Sequence, residues 1–91
     1  MDKTIYTREY AALLRVLRSK RKESGVTQIQ LAEKLGMTQS AYSKLERGEL
    51  RIDVIQLRTI SKLIGSTLPE FVASLEKEIR SPSKKKKSRR K

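Results

Sequence analysis

Between Val26 and Gly48 the chain reads VTQIQLAEKLGMTQSAYSKLERG, and two helix starts fall within it. The stretch reads as two short helices joined by a tight turn. Thr27 followed three positions later by Gln30 fits a capping box. In such a box the Thr hydroxyl accepts from the Gln amide, and the Gln side chain reaches back. Val26 before the cap and Leu31 after it fit a hydrophobic staple. Leu31, Ala32 and Leu35 then share one face. Gly36 ends the helix, because glycine tolerates a positive φ just past a C-terminus. Thr38 is the next N-cap, with Met37 stapling to Tyr42. The second helix is expected from Gln39 to about Arg47, and Gly48 stops it.

Tyr42 and Leu45 are spaced to pack inward together. The opposite face is then Gln39, Ser40, Ser43 and Lys44, which is polar and carries no acid. Gln donates and accepts at once, which suits the N6/N7 edge of adenine, and Lys can donate to the O6/N7 edge of guanine. The first turn of a helix in this arrangement is the part that enters a major groove.

The rest of the chain is read around that pair. Residues 1–6 form a short N-terminal extension. A helix from about Thr7 to Ser24 places Tyr10, Leu13, Leu14 and Leu17 on its inner face, and Gly25 ends it. Arg21 extends that face by a turn; Arg15, Arg18 and Lys22 lie on the other side. Glu49–Ile52 is a short loop with Arg51 at its tip. Asp53 with Gln56 marks a fourth helix start, stapled by Ile52 and Leu57. Its expected buried face is Val54, Leu57, Ile60, Ser61 and Ile64, with Gly65 as the stop. Thr67 with Glu70 gives another capping box, and Pro69 sits harmlessly in the first turn. The fifth helix, Leu68 to about Arg80, has Leu68, Phe71, Val72, Leu75 and Ile79 on one side. The steps 68, 72, 75 and 79 are those of a coiled-coil seam. Leu75 and Ile79 are expected to reach beyond what so small a domain covers, as an exposed end or, on the sharper reading, a homodimer seam. No segment alternates with a period of two, so the expectation is all-α, with five helices over residues 7–80.

The run T-Q-x-x-L-A-x-x-L-G-x-T-Q-x-x-Y-S-K-L-E-R-G resembles the Cro/CI-repressor type of helix-turn-helix, the XRE family. The likeness continues to about Phe71, through R-I-D-V-I-Q-L and L-I-G-S-T-L-P-E-F. It implies a compact lambda-repressor-like domain with the helix-turn-helix at helices two and three. It also implies roles. Gln28 would contact a phosphate, as would Arg47 and, from the loop along the DNA backbone, Arg51. Gln39, Ser40, Ser43 and Lys44 would face bases, and Glu46 would pair with Arg21 inside the domain. Ser40 departs from the pattern, since phage repressors often carry a longer side chain there. Lys20 also departs, standing where the pattern usually shows an apolar residue.

Composition narrows the function. There is no Cys and no His among 91 residues, so disulfides, thiolate nucleophiles and the usual zinc and general-base groups are missing. No catalytic constellation, cofactor or metal is expected. No apolar run approaches a membrane span, and the N-terminus lacks a signal-peptide core. A soluble protein of bacterial or phage origin, cytoplasmic and nucleoid-associated, is expected. The net charge is +12, and seven of those charges lie in Lys84 to Lys91, leaving +5 on the remainder. A basic domain favours an anionic polymer, here double-stranded DNA. Ser81-Pro82-Ser83 breaks the last helix, and residues 81–91 are expected to be a disordered basic tail. That tail could meet DNA phosphates, or serve as a nuclear localisation segment or anionic-lipid anchor; the nucleic-acid role is preferred. The resulting expectation is a transcription regulator, a repressor that binds a short operator as a homodimer. The alternative is an antitoxin-type module that also binds DNA, with a toxin as protein partner; polymerase is the other candidate protein partner.

Overall fold

Every helix leaves the amides of its first turn without intrahelical partners, and this chain supplies a side chain to meet them. The computed structural model describes residues 7–80. Five helices follow in order: α1 (Arg8–Ser24), α2 (Gln28–Leu35), α3 (Gln39–Glu46), α4 (Val54–Leu63) and α5 (Leu68–Arg80). Thr7 caps α1, accepting from the Tyr10 amide at 3.0 Å. Thr27 and Asp53 form full capping boxes with Gln30 and Gln56. Thr38 accepts from the Ala41 amide. At α5 the box is only half made. Thr67 accepts from the Glu70 amide, but the Glu70 carboxylate takes a bond from the Ser66 hydroxyl instead of closing the box.

The turn between α2 and α3 is held by backbone alone. Gly36 adopts φ 72°, and its amide and that of Met37 bond back onto the last turn of α2. A side chain would meet no atom there, so only the left-handed backbone argues for glycine.

α1 runs along α5 and touches α3, α2 packs on α3 and α4, and α4 packs on α5. Leu14 and Leu17 of α1, Leu31 of α2, Tyr42 and Leu45 of α3, Ile60 of α4 and Phe71 of α5 are all fully buried. Ser61 is buried too, with its hydroxyl donating to the Leu57 carbonyl at 2.8 Å. An ion pair between Arg15 and Glu78, at 2.8 Å, ties α1 to the far end of α5.

Two expectations about apolar faces need revision. Val54 is not part of the buried face of α4: it is 61% exposed, as is the neighbouring Ile55 at 68%. It stands at the first position of α4, and Leu57, Ile60, Ser61 and Ile64 do the packing. On α5, Leu75 and Ile79 are half-buried rather than free. Leu75 packs against the core of its own domain, and Ile79 borders a recess with Arg8, Ala11, Ala12 and Arg15 of α1. The N-terminal extension 1–6 and the basic tail 81–91 lie outside the described residues.

The packing makes a contrast that urea unfolding can check. Phe71→Ala should cost about 3–5 kcal/mol, since it empties a sealed position where α5 closes the core. Ile55→Ala should stay within about 0.5 kcal/mol.

Candidate nucleic-acid interface

The candidate surface is built on one buried acid. Glu46 ends α3 with its side chain only 2% exposed, facing Arg21 of α1, which is 11% exposed. An isolated charge at such depth would be untenable, so its oxygens must be filled. Arg21 Nε donates to Oε2 at 2.6 Å and Arg21 Nη2 to Oε1 at 3.1 Å. The Gln28 amide of α2 donates to Oε1 at 2.9 Å, and the Tyr42 hydroxyl donates to Oε2 at 2.7 Å. Burial by itself would raise the Glu46 carboxyl. The bonds from Arg21, Gln28 and Tyr42, with the Arg21 charge, outweigh burial and hold it below the usual carboxylate range. Burial, followed by the bond to Glu46, pushes the Tyr42 phenol well above its ordinary range, so Tyr42 stays a donor. Arg21 also reaches the Val26 carbonyl, and Arg18 donates to the Glu46 carbonyl at the C-terminal end of α3.

From this anchor the network runs outward to the surface. Gln28 Oε1 accepts from the Gln39 amide at 2.8 Å. Gln39 stands exposed at the first position of α3. Its carbonyl oxygen and second N–H remain for a ligand, which is the pair adenine requires. Ser40 and Lys44 are exposed beside it, and Ser43 is half-exposed. Ser43 is engaged: its Oγ accepts from Arg47 Nη1 at 2.6 Å.

The segment after α3 supplies further cations. Arg47, the C-cap of α3, pairs with Glu49, Nε to Oε2 at 2.9 Å and Nη2 to Oε1 at 3.3 Å. The Arg47 bond holds the Glu49 carboxyl below its usual range. Arg51 lies over the Tyr10 ring, 4.8 Å from its centroid. The Tyr10 hydroxyl accepts from the Ile52 amide at 3.0 Å, so one buried side chain of α1 steadies the loop and carries its cation.

Six of the residues singled out from the sequence fall into two connected groups, while Ser40 and Lys44 stand beside them and Arg51 lies on Tyr10. Arg21, Glu46, Gln28 and Gln39 form one chain of bonds, and Ser43 joins Arg47 at the other end of α3. Gln28 is more than a surface contact, because both ends of its amide are committed to Glu46 and Gln39. Sequence reasoning missed the Tyr42 hydroxyl, the Arg18 bond, the Arg47–Glu49 pair and the Tyr10 clamp. Only Tyr42 left a signal, as a hydroxyl one turn before an acid on the same helix. Among the described residues, no group of His, Cys, Asp or Glu could hold a metal ion, and no helix is long and apolar enough to cross a membrane.

Residues 17–71, more than half of the chain, match the family model described as Helix-turn-helix. The fold is similar to that in the crystal structure of the clp gene regulator ClgR from Corynebacterium glutamicum. The TM-score is 0.75 at 24% identity, over 87% of this chain and 84% of that one. The five helices thus form a lambda-repressor-like all-α domain. No curated protein matches the chain significantly.

Glu46 makes stability depend on pH in a definite direction. Its folded carboxyl lies below the unfolded value, so its contribution is complete above that value and fades as pH falls through the folded one. Glu46→Gln should lower stability at pH 7 by about 3–5 kcal/mol, because Arg21 loses its buried partner. The gap to the parent protein should narrow below about pH 4.3, where the unfolded parent begins to take up a proton that the folded carboxylate still refuses. Thermal unfolding of both proteins between pH 3 and pH 7, about the range that matters for a carboxylate, checks this.

Proposed function

The chain belongs to the helix-turn-helix family of DNA-binding transcription regulators, and from that premise we propose a repressor that binds a short operator as a homodimer. The observation that carries the reading is the run of bonds from Gln39 through Gln28 to Glu46. A side chain at the mouth of α3 is braced against a buried ion pair, yet keeps one donor and one acceptor free. Such bracing suits a free pair that must meet a ligand in a set orientation. The neighbour of like fold is titled a gene regulator, which accords with this.

In this mechanism the first turn of α3 enters the major groove. Gln39, Ser40, Ser43 and Lys44 face base edges, while Gln28, Arg47 and Arg51 meet phosphates. Repression follows from occupying a promoter. The homodimer is proposed through α5, where Val72 is 40% exposed beside the half-buried Leu75 and Ile79. The head of α4 is the competing surface, because Leu50, Val54 and Ile55 are exposed there. A two-fold dimer would meet half-sites about 34 Å apart.

Selection of bound sites from random duplexes tests the reading at once. A motif with two-fold symmetry is expected, and recovery of no motif would sink it. Sedimentation separates the dimer surfaces: Ile79→Lys should yield monomer, and Ile55→Lys should not. If the reverse holds, the seam lies on α4.

A base-by-base scan of the selected site gives the sharpest readout. Gln39→Ala should cost about 1–3 kcal/mol on the preferred site and relax the preference at one base pair per half-site. Gln28→Ala should weaken every site and also relax that same base pair, because the Gln39 amide loses its brace. Preference left intact in both variants would mean that α3 does not read DNA in this way.

A further inference from the structure

An acid on a surface that meets phosphate is a standing cost, since it repels every duplex alike. Glu49 is such an acid. It sits in the turn that closes α3, where its amide bonds to the Lys44 carbonyl at 2.9 Å and Gly48 adopts φ 81°. Its place is thus set by the backbone rather than by a wandering loop. From there it takes the side edge of the Arg47 guanidinium, through Nε and Nη2, while Nη1 donates to Ser43 Oγ. A guanidinium has five N–H groups in one plane. Three are now committed, and the two that remain, one on each terminal nitrogen, take their orientation from those bonds. Ser43 is constrained in turn: with Oγ accepting from Arg47, its own hydrogen is left to donate outward.

Two consequences follow for a protein that searches along DNA. Attraction without regard to sequence scales with the number of cations free to replace counterions. Glu49 withdraws Arg47 from that number. A guanidinium oriented in this way, by contrast, favours acceptors lying in its plane, whether two phosphate oxygens or the O6/N7 edge of guanine.

We propose that Glu49 is a specificity-determining residue: it neutralises and orients Arg47, and through Arg47 it orients Ser43. Arg47 thereby contributes to the matched site and little to all others. The proposal rests on the reading of α3 as the helix that meets DNA.

The test compares Glu49→Gln with the parent protein on the selected site and on an unrelated duplex across a salt series. The variant should bind the unrelated duplex about threefold more tightly, with the salt slope steeper by about 0.9, the value of one added phosphate contact. Affinity for the selected site should rise less, so that the ratio of the two falls. In an Arg47→Gln background the same Glu49 change should produce a clearly smaller gain, only that of the lost repulsion. Circular dichroism keeps folding out of the comparison. An unchanged ratio, or a gain of equal size without Arg47, overturns the proposal, the latter because Glu49 would then act by repulsion alone. If Arg47→Gln erases a guanine preference in the base scan, the guanidinium reads a base; if it weakens all bases equally, the guanidinium takes phosphate. A parent protein that selects no site overturns the reading of α3 itself, a different result from selection with an unchanged ratio.

Discussion

The burial of the Glu46 carboxylate is the constraint from which the rest follows. A charge that deep is tolerable only with every oxygen occupied, and no single helix of this chain can occupy them. Arg21 comes from α1, Gln28 from α2, and Tyr42 from α3 itself. Meeting the acid's demand therefore fixes how those helices stand to one another. The contribution is less to net stability than to uniqueness of arrangement, because a buried ion pair gains little over well-packed apolar side chains. What it excludes is any packing of α2 on α3 that leaves the acid short of a donor.

The same demand organises the surface. Gln28 turns its N–H to Glu46, and its carbonyl then faces outward, where Gln39 meets it. At the other end of α3, the guanidinium of Arg47 bridges the last turn and the loop. Tyr10 does comparable work from α1, with its hydroxyl on the Ile52 amide and its ring under Arg51. The exposed face is thus held at both margins by groups rooted in the interior. Its side chains lose less freedom on meeting a ligand than free ones would.

What could be read from the sequence was what depends on near neighbours. Caps are local, so Thr27 with Gln30 and Asp53 with Gln56 gave both the helix starts and their bonding. Thr67 with Glu70 fits the same pattern, yet Ser66 competes for the acid, and no spacing rule ranks two hydroxyls side by side. Val54 fits the period of a buried face, but periodicity cannot tell which positions on that face a neighbour covers. Arg21 with Glu46 came through family likeness, since a separation of 25 residues leaves no local trace. Gln28 with Gln39 depends on how α2 crosses α3, and Arg47 with Glu49 forms across a cap, outside the helical neighbour rule.

The exposure of Gln39, Ser40 and Lys44 has a consequence for descent. These positions owe the interior nothing but a tether, so replacing them leaves folding almost untouched. Glu46 and its donors have no such freedom, because altering any one strands another. Mutation can therefore wander across the outer face of α3 while the scaffold beneath stays put. A lineage built on this plan can change what that face meets by small steps, each intermediate still a folded protein, and duplicated copies can part company in what they bind long before they part in shape.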